Sequence, residues 1–94
     1  MATEFHQDFE WDETKRLENI RKHGIDFEDA VLALALPRIE HSSDRNGERR
    51  TVAVCPEASR LIAVVYTMRG ETCRIISARV ARPHERREYY TRYP

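Results

Sequence analysis

The chain has 94 residues, 16 basic and 16 acidic, and a formal net charge of zero. That size fits one domain, residues 1–94, able to fold alone but without a large margin. No apolar run approaches the ~20 residues of a membrane helix, no secretory leader opens the chain, and three glycines leave no phosphate loop or dinucleotide pattern, so a cytosolic protein with no membrane contact is expected.

Phe9-Glu10-Trp11 alternates apolar and polar, as a short strand does. Asp12 is an N-cap, Leu17 and Ile20 fall one turn apart, and Gly24 ends the helix, which predicts a helix over 12–23 with Lys22 and His23 in its last turn. Asp26 caps a second helix, in which Phe27, Ala30, Val31 and Leu34 share one face and Pro37 closes the run. The period then changes. Arg38 to His41 reads as a short strand, and Ser42 to Gly47 as a loop rich in turn residues. Arg50, Val52 and Val54 alternate in a half-buried strand that Pro56 ends. Leu61 to Met68 is a central strand, Arg69-Gly70-Glu71 a hairpin connection, and Thr72 to Arg79 the returning strand. Pro83 sits at the first helical position of a helix reaching about Tyr90. The predicted order is β-α-α-β-β-β-α, an α+β fold with an antiparallel sheet, helices packed on one face and the other face partly open.

Charge is unevenly placed. Residues 1–30 carry net −5, residues 31–68 net +1 and residues 69–94 net +4, and the cations are 14 Arg against 2 Lys. A basic final third on a neutral chain points to a local anion site, and arginine suits bidentate contact with phosphate. Cys55 and Cys73 lie in predicted strands; they pair only if directly opposed and otherwise stay reduced thiols. His6, His23, His41 and His84 are scattered, and no Cys or carboxylate spacing matches a metal site. No cofactor is expected.

What remains is arginine, histidine, lysine, glutamate and tyrosine, a set that suits metal-free RNA cleavage. There the 2′-hydroxyl is the nucleophile, and the protein moves two protons and neutralises a crowded phosphate. Lys22, His23 and Glu48 are candidates for proton transfer; Arg49, Arg74 and Arg79 for holding phosphate. Each has a plainer role. Lys22 and His23 also suit a helix C-terminus, where cations meet the helix dipole. Glu48-Arg49-Arg50 also reads as a solvated edge-strand run. Tyr66 also fits a core position with its hydroxyl satisfied. Arg74 and Arg79 differ by an odd number, so on a regular strand they face opposite sides unless a bulge or the strand end re-aims one. Arg79, beside the last helix, is the stronger of the two.

Phe9-Glu-Trp-Asp12, Arg21-Lys-His-Gly24 with Phe27-Glu28, Gly47-Glu-Arg49, and Arg74-Ile-Ile-Ser-Ala-Arg79 leading to Glu85-Arg-Arg87 and Tyr89 together resemble the BrnT toxins, over about residues 9–90. The resemblance implies a RelE-like ribonuclease of a bacterial type II toxin–antitoxin module that arrests translation and growth. It also implies neutralisation by a BrnA-type antitoxin, a 2:2 complex, and operator DNA met only through the antitoxin. Carried onto this chain, it places Lys22, His23, Glu48, Arg49 and Arg79 in the catalytic set and Arg74, Tyr66 and Arg86 against RNA. The rival reading is a catalytically inactive module of the same fold that binds nucleic acid or protein.

Overall fold

A computed structural model describes residues 8–94; His6 lies outside the described residues. The elements are β1 (Asp8–Glu10), α1 (Glu13–His23), α2 (Phe27–Ala33), β2 (Ile39–Ser42), β3 (Thr51–Glu57), β4 (Arg60–Arg69), β5 (Thr72–Val80) and α3 (Pro83–Arg92). The class is α+β, as expected. The short strand after Pro37 forms and pairs with β3, so four strands rather than three follow the two helices. Capping chemistry sets the helix ends. The Asp12 carboxylate accepts from the Lys15 N–H, Gly24 stops α1 at a φ of 67°, and Asp26 accepts from the Glu28 N–H.

The sheet runs β1-β5-β4-β3-β2. β1 lies parallel to β5 while the other pairings are antiparallel, so the sheet is mixed. A three-residue strand carries no mark in its sequence of the neighbour it will join or the direction it will take. Pro56 does not end β3; the strand passes it to Glu57, where a two-residue connection carrying Ala58 at φ 55° turns the chain into β4. Cys55 on β3 and Cys73 on β5 are separated by β4, and both thiols are free and buried.

The helices do not all share one face. Ala53 and Cys55 of β3 join Ile25, Phe27, Ala30, Ile62, Val64 and Ile75 in the main core under α2. Val54, between them, points the other way and packs with Leu61, Ala81 and Tyr89. Thus α3 covers the opposite face from α2. The crossing follows from a short connection: the Ala81 N–H donates to the Leu61 carbonyl at 3.0 Å, which carries the chain past the end of β4 before Pro83 starts the helix.

α1 closes an edge. β1 covers β5 only from Thr72 to Arg74. Further along, the Asn19 side chain takes the place of a strand. Its Oδ1 accepts the Ala78 N–H at 3.1 Å, and its Nδ2 donates to the Ala78 carbonyl at 2.9 Å and to the Ile25 carbonyl at 2.9 Å. Asn19 is the buried residue of α1, while Leu17 and Ile20 point outward. The helix docks through hydrogen bonds to a free strand edge, so its inner face is polar.

Candidate functional site

Side chains directly opposite one another on neighbouring strands share a face of the sheet. Three rows can therefore be followed across the face that α3 partly covers. Ile39, Val54, Ala63 and Arg79 form one row; His41, Val52, Val65 and Ser77 the next; Thr67, Arg74 and Glu10 the last. The rows hold together because β5 carries a bulge. Val65 pairs with Ser77 but Tyr66 pairs with Ile75, which leaves Ile76 as an extra residue. That residue shifts the alternation by one step, so Arg74 and Arg79 point to the same side despite their odd spacing.

At the α3 end of this face lies a buried carboxylate. Glu85 is 1% exposed. Arg79 grips it with both terminal nitrogens, Nη1 to Oε1 at 2.7 Å and Nη2 to Oε2 at 3.0 Å. The Arg82 backbone N–H donates to Oε1 at 2.8 Å, and His41 Nε2 lies 3.4 Å from Oε2. Burial pushes the Glu85 carboxyl up, but the bonds from Arg79 and Arg82 outweigh it and bring it down to about 2. It is an ionised group at neutral pH. Arg74, at the other end of the face, is half-buried and, among the described residues, meets Glu10 at 3.7 Å through Nη1. The Thr67 hydroxyl, in Arg74's row, donates to the Arg49 carbonyl at 2.7 Å and so ties the loop before β3 to this end.

The other predicted residues are spread more widely. Glu48 is ion-paired to Arg50 at 2.8 Å, after a turn in which Asn46 and Gly47 take positive φ. Arg49 is exposed. Lys22 and His23 are exposed in the last turn of α1, beside the free edge of β5 and outside the three rows. Tyr66 is on the opposite face, in the core under α2. Its hydroxyl donates to Glu40 Oε2 at 2.5 Å, and Arg38 Nε holds the same carboxylate at 3.0 Å. Burial and that carboxylate push the Tyr66 hydroxyl up to about 12. Arg86 donates to the Ala81 carbonyl at 2.8 Å and lines a shallow groove on the outside of α3 with Pro83, Arg87, Tyr90 and Thr91.

Sequence reasoning missed His41 and Glu85 as site residues. Glu85 stands three positions after the α3 N-cap Arg82, a spacing that does mark a capping carboxylate. Nothing in the sequence marks His41, whose place depends on strand register. Among the described residues no three His, Cys, Asp or Glu side chains are grouped to hold a metal ion, and no helix is long and apolar enough to cross a membrane.

A family model described as "Ribonuclease toxin, BrnT, of type II toxin-antitoxin system" matches residues 11–85. The match spans His41, Arg74, Arg79 and Glu85 and stops short of Arg86. A search of curated proteins returns no match.

Proposed function

Since the chain belongs to the BrnT family of ribonuclease toxins of type II toxin–antitoxin systems, we propose that it is a metal-independent endoribonuclease in which the RNA 2′-hydroxyl attacks the neighbouring phosphate. The observation that carries this reading is the bulge at Ile76, which brings Arg74 and Arg79 onto one open face. Two guanidinium groups at the two ends of one surface suit two phosphates of one RNA strand, the one whose charge grows in the transition state and another along the chain. Arg74 is the freer donor. Arg79 keeps its remaining N–H groups for the phosphate while Glu85 fixes its plane. Arg49, Lys22, His23 and Arg86 surround the face and contact the RNA chain beyond the reacting phosphate.

The protein acts in the cytoplasm with a BrnA-type antitoxin as partner, in a 2:2 complex, and meets operator DNA only through it. The net +4 of residues 69–94 favours an acidic antitoxin segment. One observation favours a second reading: both terminal nitrogens of Arg79 are engaged by Glu85. A chain whose main cation is neutralised in this way would bind RNA or antitoxin without cleaving. Purified protein incubated with RNA in excess EDTA separates the two. Cleavage with 2′,3′-cyclic phosphate ends supports the nuclease. Binding without cleavage, or cleavage that returns only with added metal, overturns it. Light scattering of the co-expressed complex tests the stoichiometry.

A further inference from the structure

We propose that His41 is the residue that takes the 2′-hydroxyl proton in this cleavage, with Glu85 as its positioning residue; the inference rests on the ribonuclease reading above.

The β2–β3 register places His41 opposite Val52, in the row that ends at Ser77 between Arg74 and Arg79. Its ring reaches the Glu85 carboxylate through Nε2. An ionised carboxylate can only accept, so the contact selects the tautomer with its hydrogen on Nε2. Nδ1 then carries the lone pair and is the basic atom. The Ser42 carbonyl lies equally far from Nδ1, at 3.4 Å, and as an acceptor favours a hydrogen there, but the ionised carboxylate is the stronger acceptor and holds the hydrogen on Nε2. The ring is 40% exposed and open to a ligand on the face, whereas Glu85 behind it is 1% exposed. Among the described residues the charged groups that the ring meets are Glu85 from α3 and, through Glu85, Arg79 from β5. A contact of 3.4 Å on a half-exposed ring contributes little to stability, so a purely structural role accounts poorly for the arrangement. Neither His23 nor His84 has a carboxylate partner in an ion pair or hydrogen bond among the described residues.

In the step itself, the O2′–P bond forms as the P–O5′ bond breaks. The 2′-hydroxyl proton passes to Nδ1, and the imidazolium so formed keeps its Nε2–H on Glu85. The leaving 5′-oxygen takes a proton from water, and His41 later returns its own to solvent. The products are a 2′,3′-cyclic phosphate and a 5′-hydroxyl.

The test is RNA cleavage in EDTA by wild type, His41→Ala and Glu85→Gln, from about pH 5 to 8, the range in which imidazole titrates. His41→Ala should fold as wild type, lose ~10²–10⁴ in rate, and lose the rising limb of the pH profile. Added imidazole should restore part of the rate. Glu85→Gln keeps an acceptor for Nε2–H but removes the charge; it should lower kcat and displace the limb while KM holds. If Glu85→Gln fails to fold, the alanine variant and its imidazole rescue decide the matter alone. Wild type that cleaves RNA, with His41→Ala cleaving equally fast and with the same limb, overturns the inference and leaves the ribonuclease reading standing. Wild type that cleaves nothing overturns both.

Discussion

Replacing Asn19 with alanine removes three hydrogen bonds from a site that is almost dry. Asn19 is 6% exposed and Ala78 fully buried. The Ala78 N–H and the carbonyls of Ala78 and Ile25 all lose their side-chain partner. A buried group left unsatisfied costs about 1–3 kcal/mol, and the N–H, with a single hydrogen to donate, is the most sensitive. Alanine is the better helix former by roughly 0.5 kcal/mol, which offsets a small part. The net loss should be about 3 kcal/mol, or roughly 10–20 °C in Tm for a domain of this size. Asn19→Asp is the sharper variant. It keeps an acceptor for the N–H but sets a negative oxygen against two carbonyls. At neutral pH it should be at least as unstable as alanine, and it should recover at low pH, where the protonated acid donates again. Urea and thermal unfolding of the three proteins provide the measurement. A loss below about 1 kcal/mol for Asn19→Ala, the ordinary net worth of a single hydrogen bond, would show that the amide does not close the β5 edge.

Four further outcomes follow from the structure. The depressed Glu85 carboxyl adds stability that is complete above its ordinary 4.5 and is lost as the pH falls toward about 2; wild type should weaken on acidification across that window, and Glu85→Gln, measured by urea unfolding at each pH, should weaken less steeply there. Burial pushes Cys55 up to about 12 and Cys73 up to about 11, so both thiols should resist alkylation in the folded protein at pH 8 and react fully in urea, counted by mass spectrometry. Tyr66→Phe should cost ~1 kcal/mol of stability and leave RNA cleavage unchanged, because the hydroxyl serves Glu40 on the far face, whereas Arg74→Ala should lose ~10²–10³ in rate with its melting temperature unmoved.

Much of this was legible in the residues. Asp12, Gly24, Asp26 and Pro83 mark helix ends through local chemistry, and each holds its expected place. The apolar run of β4 and the alternation of β3 likewise fixed two central strands. What was not legible depends on partners distant in sequence. A polar residue between Leu17 and Ile20 gives no sign that it will cap a strand edge, as Asn19 does for Ala78. The parity of Arg74 and Arg79 argued against a shared face, and only pairing with β4 reveals the extra residue that reverses the argument. His41 reaches Glu85 across 44 positions of chain, a meeting that strand register and the crossing of α3 arrange together.

The bulge also sets how the length of this segment can vary. Ile76 acts as a phase step: residues before it keep one alternation and residues after it the other. Losing Ile76 would leave Val65 opposite Ser77 and Tyr66 opposite Ile75 in an unbroken ladder, so the two arginines would keep one face at an even spacing. A residue lost from this stretch can therefore be absorbed by the bulge, with neither arginine moved to the other face.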